Sequence, residues 1–271
     1  MSLLRRPLLH LRRRISSISA VADASVRQDT WTEAPLTLIE PASSDASLFH
    51  VAVDVSAYPD LASSHTRPGQ YLQIRPPPPV GRPTFLAIAS PPSLSASDGV
   101  FEFLVKSVPG SAAEVVCRMR RGDVVEVSGV MGSGFEVGRI SPPEVARTVL
   151  IFATGSGISP IRALIESGFN ADERSDVRLY YGARNLQRMA YQERFKAWES
   201  SGVRILPVLS QPDEMWKGLR GYVQSAFARA KQIVDPLSTG AVLCGYRKMT
   251  ESVTSVLVAD GVSKDKILKN F

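Results

Sequence analysis

A buried strand that runs into a glycine turn and then a helix is the feature that most restricts how this chain can fold. Residues 149–152 form an apolar run, and the next twelve residues read Ala-Thr-Gly-Ser-Gly-Ile-Ser-Pro-Ile-Arg-Ala-Leu. Gly155 and Gly157 can take positive φ and let the backbone approach a ligand closely. Ser159 is predicted as the N-cap and Pro160 as the first helical residue. Because a helix start offers free N–H groups to anions, the segment predicts a phosphate-binding turn.

The spacing of this turn differs from the usual dinucleotide fingerprint. It is Gly-x-Gly-x-x-Pro, and the next predicted strand, at residues 177–181, is followed by Gly-Ala-Arg. The fingerprint requires a carboxylate about 20 residues on, where it binds a ribose hydroxyl, whereas this strand end is basic. Taken by itself, the segment therefore also fits a tight strand-to-helix turn that binds nothing.

The chain divides into a β-rich part and a part in which strands and helices alternate. Short strands are predicted at residues 50–55, 69–75, 85–89, 100–106 and 124–127, with one helix at 112–119. Clusters of Pro, Gly, Ser and Asp separate these strands, which favours a small antiparallel barrel. The sequence Ser-Pro-Pro near residue 142 indicates a linker at residues 140–144.

The second part has the pattern of a parallel sheet with helices on both faces. Strands are predicted at 149–153, 177–181, 203–208 and 242–244, and helices near 160–167, 191–200, 223–232 and 248–259. Ligands bind outside the carboxyl ends of such strands. The glycine turn, Arg184, Ser210 and Cys244 all follow strand ends, which favours a ligand site at this edge over a plain turn.

Charge and composition exclude several classes of function. The net charge is +6, but five arginines lie in residues 1–22 without any acid, and 6 − 5 leaves +1 for residues 23–271. This balance gives little reason to expect nucleic-acid binding. No apolar stretch approaches the roughly 20 residues that a membrane-spanning helix needs.

The positions of the histidines and cysteines exclude several kinds of catalytic or metal site. His10, His50 and His65 all lie in the first quarter of the chain, which excludes a Ser–His–Asp triad or a zinc site in the C-terminal half. Cys117 and Cys244 lack the spacing of metal or iron–sulfur ligands.

Residues 1–30 are predicted to be a transit peptide and disordered lead. The segment is rich in Arg, contains Ser and has no acid up to residue 22, a composition typical of organelle transit peptides. The arginine density favours a mitochondrion, whereas the family named next favours a chloroplast. A disordered basic tail is the alternative.

Several short motifs together resemble the ferredoxin–NADP reductase family of flavoprotein oxidoreductases, especially its plant fruit-protein branch. The matching segments are residues 67–71 (a Pro-Gly-Gln strand start), 108–111 (the flavin pyrophosphate loop), 129–135 (a small-residue loop), 154–160 (the pyridine-nucleotide pyrophosphate loop) and 244–249 (the nicotinamide motif). The resemblance covers residues 31–271, and no single motif would be specific by itself.

The resemblance implies a two-domain protein. An antiparallel, flavin-binding β-barrel over residues 31–140 would precede an α/β parallel-sheet NAD(P)-binding domain over residues 145–271. It also implies hydride transfer between NAD(P)H and a bound flavin, with FAD favoured over FMN and either NADP or NAD as the second cofactor. Electrons would pass to an acceptor, a protein or another molecule, that the sequence does not identify. A nucleotide- or flavin-binding regulatory module without redox turnover is the alternative function.

The predicted flavin strand departs from the family pattern, which reads Arg-x-Tyr-Ser before Ile-Ala-Ser. With residues 88–90 aligned on Ile-Ala-Ser, residues 84–87 are Thr-Phe-Leu-Ala. Leu86 then replaces the tyrosine that packs on the flavin ring, and Phe85 points to the opposite face if the strand is regular. Arg82 is the cation close enough to replace the missing arginine, so we expect weaker flavin binding unless Arg82 compensates.

The resemblance assigns roles to individual residues. Those predicted to bind cofactors are Arg82, Leu86, Ala87, Ile88, Ala89, Ser90, Gly110, Ser111, Thr154, Gly155, Ser156, Gly157, Ser159, Pro160, Arg184, Ser210, Gln211, Tyr222 and Gly245. Cys244 is predicted to lie near the nicotinamide, or else to be a small buried residue that ends a strand. Phe271 is predicted to cover the flavin, or else to be a core aromatic at a strand end.

The adenosine end of the predicted site leaves the choice between NADH and NADPH open. Gln211 stands where NADPH-dependent members often carry an arginine for the 2′-phosphate. Arg184, Lys217 and Arg220 are the candidates to replace that charge, or are solvated surface residues. Tyr222 resembles the residue that packs against adenine, or else simply precedes a helix.

Overall fold

The structure is a computed structural model that describes residues 30–230 and 233–270. Residues 1–29 of the predicted transit peptide and lead lie outside the described residues, and so does Phe271. Along the described ranges, no helix combines the length and the apolar character that crossing a membrane requires.

The first domain is a nearly closed antiparallel barrel. Its strands are β1 (Thr32–Pro41), β2 (Leu48–Asp54), β3 (Tyr71–Arg75), β4 (Thr84–Ala87), β5 (Val100–Lys106) and β6 (Val124–Val127). Its helices are α1 (Pro59–Ser63), α2 (Pro92–Asp98) and α3 (Ala112–Arg118). The strand order is β4-β3-β6-β1-β2-β5, and a bridge between Ile88 and Phe103 brings the two edges together.

Alternation of apolar and polar residues places the barrel core. In β3, Leu72 and Ile74 are fully buried, whereas Tyr71 and Gln73 between them are only half-buried. Successive side chains of a strand point to opposite faces, so every second residue enters the barrel.

The second domain is a parallel sheet with helices packed on it. Its strands are β7 (Thr148–Thr154), β8 (Asp176–Ala183), β9 (Val203–Leu209), β10 (Leu219–Arg220), β11 (Thr239–Cys244) and β12 (Ile267–Lys269). Its helices are α4 (Ile158–Glu166), α5 (Phe195–Ser200), α6 (Val223–Arg229) and α7 (Arg247–Ala259). The strand order is β10-β9-β8-β7-β11-β12, with every pair parallel. The predicted fold class, a barrel followed by an α/β parallel sheet, is confirmed.

Several predicted boundaries shift. The helix expected at residues 191–200 is a 3-10 turn at Gln192–Arg194 followed by α5, because Tyr191 takes the left-handed conformation with φ 63°. Strand β1, which packs between β2 and β6, was not predicted individually.

The two domains share one hydrophobic core at their junction. Leu48 of β2 and Leu104 of β5 belong to the same buried cluster as Ile158 and Ile161 of α4. All eight residues from Ile158 to Ile165 are buried, so α4 is enclosed by the sheet on one side and the barrel on the other. The helix that follows the glycine turn therefore packs directly on both domains.

Candidate functional site

Two adjoining cavities lie at the carboxyl ends of the parallel strands. The larger, of about 610 Å³, lies between the barrel and the sheet, and the smaller, of about 500 Å³, continues along the sheet. Residues common to both linings are Thr154, Gly155, Ala183, Arg184 and Tyr246. Together they form one groove at the position where such sheets bind ligands.

The two glycines of the turn serve different purposes. Gly155 has φ 54°, and among the described residues no heavy atom lies within 4 Å of the place where a Cβ would stand. Gly157 has φ −63°, so it does not use the positive φ that a glycine can take. A Cβ on Gly157 would lie 2.6 Å from the carbonyl oxygen of Cys244. Gly157 is required for close packing, and Gly155 for the turn.

The predicted start of the helix is wrong. Gly155–Gly157 already form a 3-10 turn, and α4 begins at Ile158 with Gly157 as its N-cap. Pro160 is therefore the third helical residue, where its missing N–H is still harmless. Ser159 lies inside the helix, and its hydroxyl donates a 3.0 Å hydrogen bond to the carbonyl oxygen of Ala87 in β4. Ser159 thus ties the helix to the barrel instead of capping it.

The end of β11 closes the turn from the other side. Gly245 has φ 133°, and the N–H of Tyr246 donates to Oγ1 of Thr154 at 2.9 Å. Cys244 lines the larger cavity but is 6% exposed, and burial raises the pKa of its thiol to about 12. The thiol is therefore protonated at neutral pH, and it presents an uncharged, polarisable surface to the cavity.

The smaller cavity receives several of the residues predicted for the adenosine end. Arg184, Ser210 and Tyr222 line it, together with Lys248, which sequence reasoning missed. Gln211 is not among the described lining residues, although its N–H donates to the carbonyl oxygen of Arg184 at 2.7 Å.

The other two cations considered for this end do not line either cavity among the described residues. The guanidinium of Arg220 donates to the carbonyl oxygens of Asp213, Glu214 and Trp216. Arg220 therefore stabilises the loop before β10, and Lys217 lies exposed in that loop.

On the barrel side of the larger cavity, β4 presents an aromatic side chain that the family alignment does not place there. Phe85 is 61% exposed and lines the cavity, with its ring centroid 6.0 Å from that of Tyr71. Leu86 borders the cavity too, but its side chain is buried in the barrel core. The alternation within β4 could have signalled Phe85, whereas the motif alignment pointed to Leu86.

The rest of the predicted flavin strand is enclosed. Ile88, Ala89 and Ser90 are fully buried, and the hydroxyl of Ser90 accepts the N–H of Glu102 at 3.1 Å. Arg82 is exposed and is not among the described residues that line the two cavities. Of the residues predicted on this strand, the structure brings only Leu86 and Ala87 to the cavity.

The predicted flavin pyrophosphate loop has an anion of its own. Ser111 caps α3 by accepting the N–H of Glu114 at 3.3 Å, and the carboxylate of Glu114 accepts the N–H of Gly110 at 2.7 Å. This arrangement resembles a capping box, except that the Glu114 carboxylate binds the N–H of the residue before the N-cap and not that of Ser111 itself. An anion at Gly110 would therefore compete with the Glu114 carboxylate for that N–H.

Comparisons with known proteins agree with this architecture. A sequence profile of the oxidoreductase NAD-binding domain matches residues 151–255. A ferredoxin NADP+ reductase from Neisseria gonorrhoeae, solved with bound FAD and NADP, has a TM-score of 0.70 at 16% identity, covering 88% of this chain and 97% of that one. The fruit protein pKIWI502 of Actinidia deliciosa is 51% identical over 98% of this chain and 86% of the relative. The chain belongs to the ferredoxin–NADP reductase family.

Other members of the ferredoxin–NADP reductase family are more distant. The sulfhydrogenase 1 subunit gamma of Pyrococcus furiosus is 27% identical, over 77% of this chain and 69% of the relative. Members of the family are NAD(P)H-dependent flavin oxidoreductases that pass electrons to acceptors, and they bind FAD and NAD(P).

The two parts of the groove offer different chemical groups to the two ligand types of the family. The dinucleotide part has an open glycine turn and the cations Arg184 and Lys248, so a diphosphate fits there. The flavin-ring part has Phe85 and Ala87 on the outer face of β4. Lys106 at the end of β5 adds a cation that sequence reasoning missed.

Proposed function

We propose that this protein is an NAD(P)H-dependent flavoprotein oxidoreductase, which transfers hydride from NAD(P)H to a bound flavin and passes the electrons to an acceptor. The observation that carries the proposal is the larger cavity. Its walls include Gly155 and Ser156 of the glycine turn on one side, and Phe85 and Ala87 of β4 on the other. A nicotinamide held by the turn and a flavin ring held by β4 would meet in this one space.

The α/β domain is proposed to bind the dinucleotide through charge and close backbone approach. The turn gives the diphosphate access to backbone N–H groups, and Arg184 and Lys248 supply positive charge nearby. Because the Cys244 thiol is uncharged, it can face the nicotinamide ring without fixing a charge beside it. We propose no acid or base among these residues, since hydride transfer requires none.

The barrel is proposed to hold the flavin ring against Phe85. An aromatic ring packed on another favours offset or edge contacts, which contribute about 0.5–1.5 kcal/mol beyond the buried area. The N–H of Ile88 donates to the carbonyl oxygen of Gln70, just before β3. Because successive N–H groups of a strand point to opposite sides, the N–H of Ala87 points away from β3. That N–H is proposed to donate to the flavin N5, the role that the resemblance gives to the serine hydroxyl replaced here by Ala87. When bound, the flavin supplies the ring that accepts hydride.

The phosphate end of the flavin needs a cation other than the one in the family motif. Glu114 already occupies the start of α3 and repels a second anion there. We propose that Arg82, exposed just before β4, supplies this charge. The proposal predicts that Arg82→Ala weakens FAD binding more than it weakens riboflavin binding.

An absorbance spectrum of the purified protein followed by anaerobic titration tests the function. We expect bound or bindable flavin whose visible absorbance bleaches when NADPH or NADH is added. Gly155→Ala should keep the flavin spectrum and lose the bleaching at low nucleotide concentration. Bound flavin that neither nucleotide reduces would favour the regulatory module instead, and a protein that binds no flavin would refute the proposal.

We also propose that residues 1–30 direct the protein to an organelle, on the composition described above. A fusion of these residues to a fluorescent protein tests this, with a variant in which Arg12, Arg13 and Arg14 are replaced by Gln as the control. Import of the first and not of the second is expected, and a fusion that stays outside organelles contradicts the proposal.

A further inference from the structure

A buried guanidinium links α4 to the barrel. Arg162 is 2% exposed and binds the carboxylate of Glu102 on β5. Its Nε donates to Glu166 at 3.0 Å, and its Nη1 lies 3.3 Å from Nε2 of His50 on β2. We name His50, Glu102, Arg162 and Glu166 the interdomain charge cluster.

The interdomain charge cluster is anchored on the α/β side by further contacts. The second oxygen of Glu166 accepts hydrogen bonds from Arg194 and from the indole of Trp198, both at 3.1 Å. The ring of Tyr191 lies 5.2 Å from the Arg162 guanidinium carbon. Because a buried charge requires partners in fixed geometry, this set holds the guanidinium in one place.

The same helix face makes a second bridge to the barrel. Ser159 lies three residues before Arg162, so the two side chains share one face of α4. Ser159 donates to the carbonyl oxygen of Ala87 on β4, while Arg162 binds Glu102 on β5. The glycine turn is at the start of this helix, and β4 forms the opposite wall of the larger cavity. These two contacts therefore add to the shared hydrophobic core in fixing the width of that cavity.

We propose that Arg162 is a positioning residue, which through Glu102 holds the glycine turn at a fixed distance from the flavin strand. This inference rests on the proposed function, since the distance matters only if two rings must meet. Reacting atoms have to approach to about 3–3.5 Å, and a displacement of about 1 Å costs about 100-fold in rate.

The test compares two charge-neutralising variants by stopped-flow reduction of the flavin. Glu102→Gln breaks the pair across the domains. Glu126→Gln breaks the 2.6 Å pair with Arg75, which lies wholly within the barrel. The two glutamate side chains are equally exposed, at 17%, although Arg75 is less buried than Arg162. We expect Glu102→Gln to lower the reduction rate at saturating nucleotide by about 10- to 100-fold, with flavin and nucleotide Kd changed by less than about 3-fold. Glu126→Gln should keep the wild-type rate.

Ser159→Ala provides a second variant, which leaves no buried charge unpaired. We expect it to lower the flavin reduction rate less than Glu102→Gln does, with the flavin and nucleotide Kd unchanged. Glu102→Asp should restore part of the rate that Glu102→Gln loses, which a role in folding only would not predict. Wild-type rates in Glu102→Gln and Ser159→Ala would overturn the inference, and so would an equal loss in Glu126→Gln.

A readout without turnover separates this inference from the proposed function. Calorimetric unfolding should show one sharp transition for the wild type and a broadened or split transition for Glu102→Gln, because the domains lose one of the contacts that couple them. If the wild-type flavin is not reduced by either nucleotide, the proposed function fails while this readout still decides the coupling. An unchanged single transition in Glu102→Gln would then overturn the inference.

Discussion

Replacing each glycine of the turn by alanine should damage the protein in two different ways. In Gly155→Ala the new methyl group points into open space within the groove, because both cavities are lined by this residue. In Gly157→Ala the methyl group points into the protein, at the carbonyl of Cys244 and the Cα of Gly245. We expect the first variant to lose nucleotide binding and the second to lose stability.

The expected magnitudes come from the local geometry. Gly155 has φ 54°, where a side chain costs about 1–2 kcal/mol, and the loss of chain freedom in the unfolded state offsets about 0.4–1 kcal/mol of this. Gly157 has an ordinary φ, but its Cβ would stand 2.6 Å from the Cys244 oxygen, so the turn and β11 must separate by several tenths of an ångström. Such overpacking costs about 1–3 kcal/mol, and backbone on both sides favours the upper end.

Thermal unfolding and nucleotide titration together separate the two effects. At about 2–4 °C per kcal/mol, Gly157→Ala should lower Tm by about 4–12 °C, and Gly155→Ala by less than about 6 °C. Calorimetric titration with NADPH and NADH should show an affinity loss of roughly tenfold or more in Gly155→Ala. A stable Gly157→Ala with wild-type Tm would refute the packing argument. Wild-type nucleotide affinity in Gly155→Ala would refute the assignment of the groove.

Three further predictions concern single side chains. His65 is 2% exposed with Nδ1 2.8 Å from the Ser95 hydroxyl, and burial lowers its pKa to about 4, so the unfolded state binds a proton first as pH falls. Between pH 6.5 and pH 4 the free energy of unfolding of the wild type should therefore fall by about 3 kcal/mol. Urea unfolding of His65→Gln should not show this fall, and an identical pH slope in both proteins would contradict the prediction. Burial raises the pKa of the Cys244 thiol to about 12, so the thiol should react slowly with iodoacetamide at pH 8. Peptide mass analysis should show a rate at least about 100-fold lower in the native protein than in urea. Equal rates would contradict the burial of this side chain. Phe85→Leu should weaken flavin binding by about 3- to 10-fold in a fluorescence titration. The control variant Tyr58→Leu changes another exposed aromatic of the barrel and should leave flavin binding unchanged. Equal effects of the two variants would rule out a specific contact between Phe85 and the flavin.

The fold class could be predicted because its signals are local in the sequence. Strand β7 pairs with β8 on one side and β11 on the other, and residues 149–153 are fully buried. A parallel strand covered on both faces has to be apolar at every position, so it appears in the sequence as an uninterrupted run. The glycine turn after β7 was equally visible, because its position between strand and helix is a property of consecutive residues.

The contacts between the domains could not be predicted because their partners are far apart in the chain. Local preference makes Ser159 a helix cap, yet its hydroxyl binds Ala87, 72 residues earlier. In the sequence, Arg162 has no feature that distinguishes it from other arginines of a helix. Its partner Glu102 lies 60 residues away. Nothing in the spacing of residues indicates such pairs, since they depend on how the barrel packs on α4.

In β4, an offset of one residue decides which side chain faces the larger cavity. Alignment on residues 88–90 puts Leu86 in the place of the family tyrosine and suggests that the aromatic contact is lost. In the sheet, Leu86 lies opposite Leu72 and both are buried in the barrel, whereas Phe85 lies on the outer face at the cavity. Because faces alternate with period 2, a shift of one residue moves an aromatic from the core to the outer face. The strand therefore presents an aromatic ring after all, and the case for a module without turnover depends only on the missing arginine and serine hydroxyl.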